Sequence, residues 1–371
     1  KLNNGADDVY FLCCGEQFEL LNFDDTKNYN LDSLFFDYIN FAPNDNSALN
    51  ESEQKFIFKK YFYSLFFPEL LKDRPILLFI GEKGTGKSFA LNLIPLLLLG
   101  KSELTTIKNE DDLNSVLTNN YFCLIDNIDE SLGKNKSWLL DKIASVATGI
   151  TIKQRKLYSN NESLEFQVNS WLGITSRTTA INRDDIADRS IIFQIESIIG
   201  NKEFFNKTDI LKKLKQNRNL IFTIIFQELN NIIGKLQTTQ SIKSTKFRMS
   251  DWAAFVLESS ANNEKDYCEN LFSKMQNQQT NFSIDGDIFL DVISNYILHH
   301  KKVEGTTKEI YDKLKNYANI NYNSVDILKY FKTVNGFGIA FKRRLELLKI
   351  NFDIEKKEIG HIKNYKLIVK S

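Results

Sequence analysis

The sequence predicts a mixed α/β protein: a parallel sheet covered by helices, an all-helical segment after it, and a separate basic module at the C-terminal end. Three observations carry that prediction. Between residues 74 and 195, short β-type runs alternate with helical runs: PILLFIG, a helix from Lys87, YFCLID, a helix around residues 138–146, VNSWLGIT and SIIFQI. Such alternation is the pattern of a parallel sheet whose crossovers are helices. From about residue 207 to 275 the period is helical, with an Ile/Leu/Phe stripe in ILKKLKQNRNLIFTIIFQELNNIIGKL and a second helix over residues 250–259. Finally, the charge is partitioned. The chain carries 48 Lys+Arg against 47 Asp+Glu, yet residues 1–50 hold 2 against 9, a net of −7, and residues 301–371 hold 16 against 8, a net of +8.

At 371 residues and 42% hydrophobic composition, the chain has room for two or three domains with their own cores, which excludes a single small fold. No apolar run approaches the ~18 residues that would span a bilayer. Cys13, Cys14, Cys123 and Cys268 have no CxxC spacing, and only three histidines accompany them, so neither a zinc site nor a disulfide framework is predicted and a cytoplasmic setting is expected. The chain begins at Lys1 with no charged-then-apolar leader, which reads as a fragment lacking upstream sequence.

Element by element, residues 8–23 alternate as one or two short strands in an acidic N-terminal piece, with Cys13 and Cys14 as strand residues. Asn50 followed by Glu53 predicts a capping box opening a helix to about residue 67, broken by Pro68. The polar residues 276–281 read as a link. From about Gly305 the pattern is helix, helix, a turn over residues 335–338, a third helix and an alternating hairpin, which is the winged-helix order. It places Lys342, Arg343 and Lys349 along a recognition helix and residues 356–361 at the wing. The predicted division is 1–50, 51–200, 201–280 and 281–371. Trp138, Trp171 and Trp252 are expected in the core, and His299-His300 as a surface pair at a helix end.

Residues 81–88 read GEKGTGKS and lie between an apolar strand and an apolar helix, the setting that a GxxxxGK[ST] phosphate loop requires. Gly81, Gly84 and Gly86, with Thr85 between them, let backbone N–H groups turn inward around phosphates. Lys87 brings a point charge, and Ser88 offers a hydroxyl to Mg²⁺. Asp126 closes the strand YFCLID, where a carboxylate can hold the same Mg²⁺. The expected cofactors are therefore ATP and Mg²⁺. Asn127 stands where many relatives of this arrangement have Glu. Asp129 is the candidate general base, with Glu130 beside it, or Asp126 acting with the Asn127 amide, as alternatives.

With these residues in place, residues 73–195 resemble an AAA+ ATPase. More narrowly they resemble phage and mobile-element ATPases related to the MCM and superfamily III helicases, the nearest group being replication-initiator helicases of staphylococcal pathogenicity islands and cassette chromosomes. The resemblance implies that the β-turn-β segment at residues 147–168 is a DNA-contacting hairpin carrying Lys153, Arg155, Lys156 and Tyr158, residue types that bind phosphates and stacked bases. It implies a γ-phosphate sensor at Thr175 or Ser176. Arg189, with Arg183 as second choice, matches the arginine that reaches a neighbour's nucleotide; the alternative for Arg189 is a salt bridge to Asp185 or Asp188. Arg248 matches a second sensor arginine, the alternative being a pair with Asp251.

The function so implied is an ATP-dependent DNA helicase or translocase working as a ring, a hexamer, on single-stranded or forked DNA with other replication proteins, with no membrane contact. The competing readings are an ATP-switched DNA-binding regulator or loader that does not unwind, and an antiphage defence ATPase on the same core.

Overall fold

Four of the apolar runs lie side by side in one sheet. β1 (Ile76–Ile80), β2 (Leu104–Thr105), β3 (Phe122–Ile125), β6 (Trp171–Ser176) and β7 (Ser190–Gln194) pair in the order β2-β3-β6-β1-β7, and every pairing is parallel. Every residue of β1, β3 and β6 is buried, as expected of a sheet covered on both faces. The fold is thus mixed α/β with a parallel-sheet core. β2 went unread in the sequence, since a two-residue strand has no period. The structure, a computed structural model, describes all residues except 1–25, 27, 44–48, 129–136, 156–162, 169, 178–182, 198–205, 286–287, 323–330, 360–361 and 371. The strands expected within residues 8–23, with Cys13 and Cys14, lie outside the described residues.

By its internal contacts the chain divides into two compact units, residues 1–180 with 188–279 and residues 181–187 with 280–371. In the first unit, a short helix α1 (Leu31–Leu34) precedes α2 (Glu51–Ser64). The capping box is present: the Asn50 side chain accepts from the Glu53 N–H at 2.9 Å, and the Glu53 carboxylate accepts from the Asn50 N–H at 2.9 Å. Phe58 on α2 meets Phe36, Phe41, Phe79 and Phe193 at centroid distances of 5.9, 5.7, 6.0 and 5.6 Å. This aromatic cluster fastens α2 to β1 and β7. An isolated antiparallel bridge, Phe41 to Ile195, stitches the segment before α2 to the chain leaving β7.

The crossover helices are α3 (Lys87–Leu99), α4 (Glu110–Asn119) and α5 (Ser137–Val146). α4 escaped the sequence reading, although its signals are local. Asn109 caps the Asp112 N–H at 2.8 Å, three acidic residues fill the first turn, and Leu113 and Leu117 are buried four apart. Between α5 and β6, β4 (Thr151–Arg155) and β5 (Ser163–Gln167) pair antiparallel, with Lys153 opposite Glu165. The expected turn at residues 159–161 lies outside the described residues. α6 (Asp184–Ala187) groups with the second unit. Trp171 and Trp252 are fully buried as expected, but Trp138 is only half-buried. α5 buries Leu139, Ile143 and Val146, and that i, i+4, i+7 line leaves residue 138 to one side.

A helical part follows: α7 (Lys207–Gln216), α8 (Arg218–Thr238), α9 (Ser250–Glu258) and α10 (Lys265–Asp285). The boundary between the two units falls within the polar stretch 276–281, as the link reading expects, but the stretch is helical and lies inside α10. Met275 and Phe282 bury at seven-residue spacing, and the Gln279 amide donates to the Ser190 carbonyl at 2.7 Å, so that a polar residue becomes an interior one.

The second unit adds α11 (Ile288–His300), β8 (Lys302–Thr306), α12 (Thr307–Asn321), α13 (Val334–Asn351), β9 (Phe352–Ile359) and β10 (Ile362–Val369). The three strands form an antiparallel sheet ordered β8-β10-β9. Its core gathers Phe289, Phe331, Phe337, Phe341 and Tyr365 around Leu314 and Val303. The turn expected at residues 335–338 is instead the first turn of α13. Thr333 caps the Gly336 N–H at 3.1 Å, Phe337 is fully buried, and a Cβ on Gly338 would stand 3.2 Å from Thr307 Cγ2. The second glycine serves close packing against α12 rather than a reversal. The middle helix expected before it falls largely within the undescribed residues 323–330. His299 and His300 close α11 on an exposed turn, with the His300 ring 4.3 Å from that of Tyr296.

No helix among the described residues is long and apolar enough to cross a membrane. Replacing Phe58 by Ala should lower unfolding free energy by about 3–5 kcal/mol, because the vacated volume lies in the joint between α2 and the sheet. Chemical denaturation measures this, and a loss below 1 kcal/mol would contradict the packing described.

Candidate functional site

The strands β1, β3 and β6 release their chains at the same edge of the sheet, where ligands of open α/β folds bind. After Ile80 the chain turns through residues 81–86 into α3. Gly84 and Gly86 hold φ of 89° and 87°, a region that only glycine enters without strain. At Gly81 a Cβ would lie 2.1 Å from the Ile195 carbonyl oxygen, so the close approach of the β7 exit demands glycine there too. The Thr85 hydroxyl donates to the Glu82 carbonyl at 3.0 Å. Lys87, at the first position of α3, is buried, and its ammonium donates to the Gly81 and Glu82 carbonyls at 2.6 Å each.

One turn of geometry then joins three separated segments. The Ser88 hydroxyl donates to Asp126 Oδ1 at 2.6 Å, and the Thr175 hydroxyl donates to the same oxygen at 2.7 Å. Thr175 Oγ1 in turn accepts the Asn127 N–H at 2.8 Å. Ser176 is fully buried, and its carbonyl accepts the Gly81 N–H at 3.3 Å. Sequence reading left Thr175 and Ser176 as equals, and the structure brings the Thr175 side chain to Asp126. Ser88 and Asp126 together present two hard oxygen donors, which suit Mg²⁺. Among the described residues no group of three or more His, Cys, Asp or Glu gathers to hold a metal. A Mg²⁺ here would therefore complete its shell with phosphate oxygens and water, its usual habit.

Beside the loop lies a cleft of about 160 Å³ lined by Tyr38, Asn40, Phe89, Ile195, Lys207 and Ile210, among others. Asn40 is fixed there by its amide donating to the Glu196 carbonyl at 2.7 Å. Tyr38, Asn40 and Lys207 escaped sequence reasoning, because they reach the loop only through the Phe41–Ile195 bridge and the start of α7.

The structure does not bring Arg189 or Arg248 to this cluster. The Arg189 carbonyl accepts the Ile76 N–H at 2.8 Å, at the N-terminal end of β1. A five-residue strand at ~3.3 Å per residue separates that point from the phosphate loop by roughly 16 Å. Asp188 pairs with Arg248 at 2.7 Å and Asp185 with Arg183 at 2.8 Å. Arg248 therefore pairs with Asp188 and not with Asp251, whose carboxylate accepts the Lys72 N–H at 3.1 Å. At Asp73, burial pushes the carboxyl up, Asp251 adds to this, and the Arg189 charge opposes it. Asp129, Glu130, Lys156 and Tyr158 lie outside the described residues.

Of the predicted nucleic-acid contacts, Lys153 is exposed on β4 and pairs with Glu165 at 2.7 Å, while Arg155 ends the same strand. Lys342 and Lys349 are exposed on α13, and Arg343 belongs to that helix. The Cys123 thiol is pushed up to about 12 by burial, which leaves it inert at neutral pH.

Asn127 holds φ of 55°, a left-handed backbone tolerated better by Asn than by other residues with a side chain. Replacing it by Gly should preserve stability, whereas Val should cost about 1–2 kcal/mol in chemical denaturation. Equal effects of the two would contradict the backbone assignment.

No family model matches the chain, and no curated protein matches it. Solved structures similar to it include "SCCmec type IV Cch - active helicase", at 14% identity over 94% of this chain and 70% of that one with a TM-score of 0.44. Another is "The A form apo structure of NrS-1 C terminal region-CTR", at 12% identity over 96% of this chain and 77% of that one with a TM-score of 0.41.

Proposed function

We propose that this chain is a Mg²⁺-dependent ATP hydrolase of the AAA+ kind that acts on DNA as a helicase or translocase, assembled as a ring-shaped oligomer in the replication of a mobile element. The observation that carries the reading is the convergence of Lys87, Ser88 and Asp126 at one edge of a parallel sheet, with Ser88 and Asp126 2.6 Å apart. In this reading the backbone of residues 81–88 cradles the phosphates, and Lys87 exchanges its loop carbonyls for phosphate oxygens. Ser88 and Asp126 hold Mg²⁺, which when bound supplies charge neutralisation on the phosphate chain. The cleft around Tyr38 and Asn40 receives the base. Asp129 or Glu130, or Asp126 with Asn127, orients the attacking water.

DNA action is supported by the exposed Lys153 on the β4–β5 hairpin and by the +8 net charge of residues 301–371. The helix, strand, helix and hairpin order of the second unit, with its three-stranded sheet, supports a winged-helix module reading DNA through Lys342, Arg343 and Lys349. The working division is an acidic piece (1–50), an ATPase core (51–200), a lid (201–280) and the winged helix (281–371). Oligomeric action is supported by Arg189, whose place at the far end of β1 puts it out of reach of its own phosphate loop and fits service to a neighbouring copy.

The decisive measurement is displacement of a strand from forked DNA with Mg²⁺ATP. The intact protein should unwind the fork and Lys87→Ala should not. Unwinding that survives Lys87→Ala sinks the mechanism, and turnover without any displacement favours the ATP-switched regulator. Arg189→Ala should reduce turnover roughly 10³-fold while sparing nucleotide binding, and mixing it with Lys87→Ala should restore part of the rate. Absence of rescue at every mixing ratio would argue against an active site shared between copies.

A further inference from the structure

A hydroxyl has one proton to give and two lone pairs to receive. At Thr175, 1% exposed, the proton goes to Asp126 Oδ1 at 2.7 Å, and one lone pair takes the Asn127 N–H at 2.8 Å. A phosphate oxygen is anionic and only accepts. A side chain that senses a γ-phosphate by hydrogen bonding must have a proton to offer it, and the Thr175 proton is already committed to the Asp126 carboxylate in a charge-assisted bond. The same hydroxyl closes a ring of contacts. It fixes one oxygen of Asp126 from the β6 side while Ser88 fixes it from the α3 side, and it holds the amide of the left-handed Asn127 next in chain. Its neighbour Ser176 ties the β6 end to Gly81 through the backbone.

The geometry assigns Thr175 as a positioning residue for the metal-binding carboxylate of Asp126, acting through that side chain and not as a sensor touching the nucleotide. The assignment rests on the nucleotide-site reading above and deepens it. Groups that orient a ligand from outside the metal's own shell are worth roughly 10–100-fold in metal affinity when removed. The signature of Thr175 is therefore a metal requirement and not a phosphate requirement. Threonine and serine can both play the part, while valine, of nearly the same shape, cannot.

The test uses the full chain and fluorescent ATP and ADP analogues, titrated with MgCl₂ and separately bound in EDTA. Thr175→Val should raise the Mg²⁺ concentration needed for half-maximal ATP-analogue binding by about 10–100-fold. It should leave affinity in EDTA at the wild-type level, and Thr175→Ser should restore the wild-type Mg²⁺ requirement. Thr175→Ala, which removes the hydroxyl without adding bulk, gives the same readout should the valine variant fail to fold. An unchanged Mg²⁺ requirement in these variants overturns the assignment. So does a selective loss of ATP-analogue over ADP-analogue affinity that persists in EDTA, the mark of a direct phosphate contact. If the unaltered protein binds neither analogue with Mg²⁺, the nucleotide-site reading itself falls.

Discussion

The site depends on one constraint: β6 is wedged in parallel between β3 and β1, nearly flush at their ends. Ile80 lies beside Ser176, and Ile125 beside Ile174. Three chain segments, separated by dozens of residues, therefore leave the sheet within a residue or two of the same level. Only then can Ser88, Asp126 and Thr175 share a single carboxylate oxygen. Slipping one strand by a residue would turn its side chains to the other face and take its contribution away from the cluster. Gly173 contributes to the same fit. A Cβ there would lie 2.6 Å from Leu124 Cδ2 and 2.9 Å from Leu91 Cδ1, so its absence lets α3 settle on the sheet.

What was legible in the sequence was what is encoded locally. The capping box at Asn50 and Glu53, the apolar strands and the loop GEKGTGKS each carry their meaning within a few residues, because caps, pleats and tight turns are short-range physics. What was illegible depends on distant partners. Gln279 looks like a solvent-facing residue of a polar run until the Ser190 carbonyl stands opposite it. Gly336 and Gly338 look like a turn until Thr307 and the buried Phe337 make a helix of them. In the site, Lys87, Ser88 and Asp126 could be found by motif. The choice between Thr175 and Ser176 could not, since alternation along a strand names two faces without saying which neighbour waits at each. Tyr38 and Asn40 carry no motif, and a single β-bridge decides their place.

The charge that first divided the chain sits partly outside the packing that divides it again. The second unit is held by a phenylalanine and tyrosine core, while Lys342, Lys349, Lys356 and Lys357 are exposed. Part of its basicity is built into the packing, with Arg344 over the Phe289 ring at 5.4 Å and Lys315 over that of Tyr311 at 5.2 Å. The hairpin pair Lys153–Glu165 is not, because both side chains are largely exposed. An ion pair in that setting adds little to stability and yields readily to a competing anion.

The distance between Arg189 and the phosphate loop has a consequence for symmetry. The sheet has two unlike ends, one bearing the glycine-rich loop of residues 81–86 and one bearing Arg189, roughly 16 Å apart along β1. If one end completes the other across a boundary between copies, a twofold dimer is unsuitable, because a twofold axis sets like against like and leaves both sites without their complement. Head-to-tail contacts satisfy every copy only when the rotation between neighbours closes on itself; otherwise the array runs on as a filament with an incomplete site at its end.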